Sequence, residues 1–164
     1  MKRSPRTAIV AGSYDPVTAG HLYLIDYAAR HYQNVRAVIF VNESKNYLFP
    51  LEKRLELLRA ACAKYENVTV DFDGGMQYLY AKKHGATRAV RGWRNDTDLD
   101  YEKESADFNR THLPGYETVL LRTPKKLAHI SSTLVREKLA AGEDLAGLVP
   151  DECLKLLSDS PGKS

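Results

Sequence analysis

Thr7-Ala8-Ile9-Val10-Ala11-Gly12-Ser13-Tyr14-Asp15-Pro16-Val17-Thr18-Ala19-Gly20-His21 opens as a short β-branched run and passes through a Gly- and Pro-bearing turn into an amphipathic stretch, His21 to Tyr32. The alternation then repeats. Apolar runs at Val35 to Val41, Val68 to Phe72, Thr87 to Val90 and Thr118 to Leu121 predict four more strands. Between them, Leu51 to Tyr65, Met76 to His84 and roughly Asp98 to His112 have the pattern of helices. Leu51, Leu55, Leu58 and Cys62 recur at helical steps and share one face, which makes Cys62 a core residue. Two further helices are expected, one opening at Ser131-Ser132-Thr133 and one near Pro150-Asp151-Glu152. Strands alternating with helices of this length require right-handed crossovers, so the fold class is α/β, with a five-stranded, mostly parallel sheet flanked by helices.

Working outward, the chain of 164 residues carries 24 Lys and Arg against 21 Asp and Glu, a net charge of +3, and is 43% hydrophobic. That suits one domain, read as residues 1–157, with a polar tail at 158–164 of the composition that stays disordered. The two cysteines lie far apart in sequence, which excludes a disulfide scaffold and a Cys-spaced metal site. Apolar runs such as Ala37 to Val41 are far too short to span a membrane, and Met1 to Arg6 leads into a strand rather than an apolar leader core. A cytoplasmic protein with no membrane partner is expected. The small charge surplus, spread along the chain, excludes nucleic acid as partner and suits a small anion.

In such sheets ligands sit beyond the carboxyl ends of the strands. After the first strand, Gly12 to His21 presents a glycine-bearing turn at a helix N-terminus, where free N–H groups and the positive dipole end attract phosphate. It lacks the Lys-Ser/Thr pair of a Walker loop and the third glycine of a dinucleotide fingerprint. The same spacing also fits a plain turn in which Pro16 and Gly20 are structural and His21 lies on the surface. After the fourth strand, Arg91-Gly92-Trp93-Arg94 places two arginines where they can grip separate phosphate oxygens, or forms a solvated basic turn with Trp93 packed on the sheet. The acidic residues Asp96, Asp98, Asp100 and Glu102 that follow have no His or Cys beside them and suit a helix start, so no metal site made by protein groups alone is expected. Ile130-Ser131-Ser132-Thr133 offers more hydroxyls than one helix cap uses, leaving some for the tail of a polyphosphate. Lys45, in the loop after the second strand, is a mobile point charge suited to a phosphate monoester.

Gly12-Ser13-Tyr14-Asp15-Pro16 with Thr18-Ala19-Gly20-His21 resembles the T/HxGH signature of the nucleotidyltransferase superfamily. Ile130-Ser131-Ser132-Thr133-Leu134-Val135-Arg136 resembles its second, ISSxxxR-type signature, and Arg91-Gly92-Trp93-Arg94 with Tyr101-Glu102 is similar to the pattern of bacterial phosphopantetheine adenylyltransferases. The resemblance runs from about Thr7 to Pro150 and implies a single Rossmann-like domain that transfers an adenylyl group from ATP to 4′-phosphopantetheine, giving dephospho-CoA and pyrophosphate. It implies direct in-line attack without a covalent intermediate, with His21, Lys45 and Arg94 as catalytic residues. By the same resemblance Ser13 and Tyr14 contact nucleotide and substrate, and His21 stabilises the pentacoordinate α-phosphate. Gly92, Trp93, Arg94, Glu102 and Leu127-Ala128-His129-Ile130-Ser131-Ser132-Thr133 line the ATP site. Lys45 and Arg91 bind the 4′-phosphate, and main-chain groups near Gln77 hold the pantetheine arm. Mg²⁺ bridging the triphosphate through substrate oxygens and water, a homohexamer, and CoA as a feedback ligand are implied in the same way. Departures from the family pattern are Asn95-Asp96 in place of a small apolar pair, Asn42-Glu43 before Ser44-Lys45, and Leu127 where an aromatic is frequent. Other members of the superfamily transfer cytidylyl groups or act on nicotinamide mononucleotide, and a silent nucleotide-binding paralogue would share the same motifs. Nucleotide and acceptor preference separates them.

Overall fold

The computed structural model describes residues 2–158. Its elements run β1 (Ser4–Gly12), α1 (Ala19–His31), β2 (Tyr32–Phe40), α2 (Leu51–Cys62), β3 (Val68–Asp73), α3 (Gln77–His84), β4 (Arg88–Trp93), α4 (Asp96–His112), β5 (Glu117–Arg122), α5 (Ser132–Ala140) and α6 (Asp151–Ser158). The five strands are all parallel, in the order β3-β2-β1-β4-β5. β1 and β4 are therefore the pair at which the strand order reverses, and their carboxyl ends open the crevice where an α/β sheet binds ligands. α6 reaches Ser158, one residue into the stretch set apart by composition, and residues 159–164 lie outside the described residues.

Both faces of the sheet are apolar, as a sheet covered on both sides requires. Ala8, Val10, Val35, Ala37, Ile39 and Val90 point into the larger core, closed by α1, α2, α5 and α6 through residues such as Ile25, Leu57, Leu58, Val135 and Leu157. Ile9, Ala11, Val38 and Ala89 point to the other face and pack beneath Tyr80 and Ala81 of α3 and Tyr116. Cys62 and Cys153 belong to the larger core as free thiols, and burial pushes both up to about 12, which keeps them protonated and unreactive.

The boundaries differ from the sequence pattern in ways that matter to the site. Arg91-Gly92-Trp93 is not a turn after β4 but its last three residues, paired with Leu120, Leu121 and Arg122 of β5. Gly92 lets helix and strand approach closely: a Cβ would stand 3.3 Å from both Leu24 of α1 and the Thr123 hydroxyl, and these side chains would have to give by a few tenths of an ångström. α1 begins two residues before His21, at Ala19, because Thr18 caps it. Asn95, a departure from the family pattern, caps α4 by accepting the Asp98 N–H at 2.9 Å.

Candidate active site

Between β1 and α1 the chain folds back on itself. Tyr14 takes a left-handed conformation, φ 48°, which costs a non-glycine residue roughly 1–2 kcal/mol. Its ring is buried under the loop, and its hydroxyl donates to the Val10 carbonyl at 2.7 Å. Gly12 makes room for it, since a Cβ there would lie 3.2 Å from the ring. The buried Asp15 carboxylate accepts the N–H groups of Leu48 and Phe49 at 2.8 and 3.0 Å, while Arg136 of α5 donates to the Asp15 carbonyl at 2.8 Å. The loop is thus pinned from the β2–α2 loop on one side and from α5 on the other. The Tyr14 side chain lines neither of the cavities described below. It supports His21, with ring centroids 4.7 Å apart.

The His21 imidazole is oriented by an unusual helix cap. Thr18 Oγ1 accepts the His21 N–H at 3.3 Å, and the Thr18 N–H donates back to His21 Nδ1 at 2.9 Å. This is the capping box in which Glu ordinarily occupies the third position, here with His in its place. An Nδ1 that accepts an N–H carries no proton, so in the neutral ring the proton sits on Nε2. Burial, reinforced by the Arg91 charge, pushes the His21 pKa down to about 4. Around pH 7 His21 is therefore a neutral Nε2–H donor, neither a cation nor a base. The Thr18-x-x-His21 spacing is the sequence signal that reveals this.

Two cavities of about 400 and 370 Å³ open beside this ring and share His21, Arg91, Tyr101 and Glu102. The first is floored by Gly12 and Ser13 and walled by Gln77, Ser105 and Asn109. The second runs past Gly20, Arg94 and Asp98 to Leu127, Ile130, Ser131 and Ser132. At their junction Glu102 grips Arg91 bidentately, through Nε and Nη2 at 2.9 Å each, and Arg91 Nη1 donates to the Ala11 carbonyl at 2.7 Å. Three of its five N–H groups are thereby used, leaving two for a ligand. Glu102 also balances the Arg91 charge, so a phosphate dianion bound there needs a further cation. Arg94 is paired with Asp98 at 3.0 Å on the rim of the second cavity.

The α1 N-terminus offers little free backbone. The Ala19 N–H donates to the Leu148 carbonyl and the His21 N–H to Thr18, so of the amides in the first turn only that of Gly20, on the second cavity, has no acceptor among the described residues. Each hydroxyl of Ser131-Ser132-Thr133 has one partner within the fold, and those of Ser131 and Thr133, which only accept, keep an O–H to donate. Ser131 caps Leu134, Ser132 donates to the Pro16 carbonyl at 2.9 Å, and Thr133 accepts from Arg136. What α5 offers the second cavity is its positive end and first-turn amides. Ala128, His129, Thr133 and Trp93 line neither cavity, and Trp93 has the Arg122 guanidinium 5.6 Å from its ring centre. Gln77 lines the first cavity with its side chain donating to the Tyr116 hydroxyl, and among the described residues no side chain caps the N-terminus of α3 there. Lys45 is exposed on the β2–α2 loop and lines neither cavity. Tyr101, Asp98, Ser105 and Asn109, absent from the expected ligand set, do line them. Asn109 and Ser105 are one helical turn apart on α4, a spacing visible in the sequence but without a motif to mark it. Among the described residues no group of three or more His, Cys, Asp or Glu is placed to hold a metal ion, and no helix is long and apolar enough to cross a membrane.

Residues 9–138 match the family of cytidylyltransferase-like proteins. The phosphopantetheine adenylyltransferase of Bifidobacterium longum is 40% identical over 155 residues, covering 93% of each chain. That of Shouchella clausii is 36% identical over 159 residues, covering 97% of this chain and 98% of its own. Among solved structures, a protein from Vibrio parahaemolyticus provisionally named a nicotinate-nucleotide adenylyltransferase superposes with a TM-score of 0.68 over 95% of this chain and 100% of its own, at 16% identity, a likeness of fold alone. Cap, cavities and arginine pair thus stand on a chain that belongs to the phosphopantetheine adenylyltransferases, within the cytidylyltransferase-like family.

Proposed function

We propose that the protein moves the adenylyl group of ATP onto the phosphate of 4′-phosphopantetheine, releasing pyrophosphate and dephospho-CoA, with one substrate in each cavity and the reacting phosphates meeting at His21. The observation that supports this division is that the two cavities share His21, Arg91, Tyr101 and Glu102 in their linings. The acceptor phosphate lies over Ser13, met by the two free N–H groups of Arg91 and by Lys45, whose charge supplies what Glu102 cancels. The pantetheine arm runs past Gln77, Ser105 and Asn109. The ATP triphosphate follows the second cavity along Gly20, Arg94 and the N-terminus of α5, toward the base pocket at Leu127 and Ile130.

A phosphate monoester with a second pKa near 6 is already largely dianionic around pH 7, so its oxygen attacks the α-phosphorus without a general base. His21 suits this division of labour: its Nε2–H donates to the α-phosphate oxygen on which charge builds, and its depressed pKa keeps it from competing for a proton. Its rigid double cap means that little reorganisation is needed as the bond forms. Glu102 and Asp98, which line the cavities, are paired with Arg91 and Arg94, so a Mg²⁺ ion would be carried in by ATP rather than by these side chains and would supply charge neutralisation of the triphosphate. By the same family reading the enzyme works in the cytoplasm as a homohexamer with CoA as feedback ligand. Pyrophosphate release from ATP in the presence and absence of 4′-phosphopantetheine tests the reading, with release expected only when the acceptor is present.

A further inference from the structure

Arg54, on the first turn of α2, is 2% exposed, and among the described residues no carboxylate pairs with it. A buried guanidinium without a counter-charge is costly, and an apolar side chain of similar size would fill the space more cheaply. Its hydrogen bonds show what it does. Nε donates to the Phe49 carbonyl at 3.1 Å, Nη1 donates to the Ser13 carbonyl at 3.1 Å, and the guanidinium lies 3.9 Å from the centre of the Tyr47 ring. Two of these partners belong to the β2–α2 loop and one to the floor of the first cavity.

The connection continues through Tyr47. Its hydroxyl accepts the Asn42 N–H at 3.1 Å, and the Asn42 carbonyl in turn accepts the Lys45 N–H at 3.0 Å. Asn42 Oδ1 accepts both the N–H and the hydroxyl of Ser44, at 3.0 and 2.6 Å. The loop residues 42–47 are thus closed on themselves and stacked on Arg54, whose other arm holds Ser13.

We infer that Arg54 and Tyr47 are positioning residues that hold the Lys45 loop in fixed register with Ser13, so that both meet the acceptor phosphate together. The uncompensated charge of Arg54 also adds to the field at the Ser13 turn, which favours an anion there. The inference rests on Lys45 being a ligand of that phosphate, and the test separates the two.

Tyr47→Phe keeps the ring for Arg54 and removes only the hydroxyl, and Arg54→Lys keeps the charge and removes the fork. Both are made in the full chain, with Lys45→Ala as reference. Amide hydrogen exchange at Asn42 and Lys45 is expected to accelerate about ten-fold in Tyr47→Phe and Arg54→Lys. The KM for 4′-phosphopantetheine should rise about ten-fold while that for ATP stays within about two-fold, a split that a merely structural role would not produce. Unchanged exchange at both amides, or equal changes in the two KM values, would overturn the inference. Faster exchange combined with a Lys45→Ala variant of normal phosphopantetheine KM leaves the tether standing and removes Lys45 from the substrate site.

Discussion

Gly20→Ala separates folding from chemistry at a single methyl group. Gly20 is the second residue of α1, where nothing in the fold calls for glycine: its φ is not positive, and an added Cβ would meet only Thr18 Oγ1 at 3.5 Å, an ordinary van der Waals contact. Alanine in a helix is favoured over glycine by roughly 0.5–1 kcal/mol. For a domain of this size that corresponds to a Tm higher by about 1–4 °C. Yet Gly20 lines the second cavity next to His21, and its amide is the one in the first turn without an acceptor among the described residues, so on the proposed placement of the triphosphate a methyl here would crowd it. A displacement of about 1 Å at a reacting centre costs on the order of 10²-fold in rate, or about 2.7 kcal/mol of barrier. Thermal unfolding and steady-state pyrophosphate release on the same preparation read both effects. A variant that is more stable and about a hundred-fold slower is expected. Activity within two-fold of the parent would refute the placement of the triphosphate, and a lower Tm would refute the claim that the fold does not need this glycine.

His21→Asn should keep ATP binding and lose about 10²-fold or more in turnover, measured by calorimetric titration alongside kinetics, because one donor to the developing charge is removed. The depressed His21 pKa also has a stability signature: between about pH 6.5 and 4 the unfolded chain binds a proton that the folded one refuses, so stability falls as pH drops through that window, by up to about 3 kcal/mol, and is fully present above it. Denaturant titrations at pH 7 and 4.5 should show this slope in the parent and a shallower one in His21→Asn. Lys45→Ala and Arg91→Ala should each raise the KM for 4′-phosphopantetheine at least about ten-fold with much smaller effects on ATP; the opposite pattern would exchange the two subsites. Tyr14→Phe removes the hydrogen bond to Val10 but keeps the ring under His21, so it should cost about 1 kcal/mol of stability and leave turnover nearly unchanged.

The strands and helices were legible because each core residue follows the period of its element, and β-branched runs such as Val35 to Val41 have no competing reading. The order of the strands was not: it depends on which edges pair, and β1 sits between β2 and β4 although it comes first in the chain. Arg91-Gly92-Trp93 looks like a turn because charge and glycine are rare inside parallel strands, yet the carboxyl end of a strand at the reversal point is where a charged side chain reaches a ligand. His21 and Arg91 stood out by motif, whereas the partner of the Ser132 hydroxyl, the Pro16 carbonyl, lies over a hundred residues away in sequence and leaves no local mark. The inward turn of Tyr14 was not legible either, since it goes with a left-handed backbone that the sequence does not mark. Arg54 and Asp15 left no sequence signal, since their hydrogen-bond partners, the Phe49 and Ser13 carbonyls and the Leu48 and Phe49 N–H groups, are main-chain groups, which are the same in every residue.

The division of the site into two cavities meeting at His21 is tested most directly by supplying ATP or CTP, with 4′-phosphopantetheine or nicotinamide mononucleotide as acceptor, and following pyrophosphate and dephospho-CoA together. Equimolar release of both from ATP and 4′-phosphopantetheine, with little turnover in the other combinations, is the expected result. Nucleotide binding without pyrophosphate release, or release that favours CTP or ignores 4′-phosphopantetheine, would contradict it.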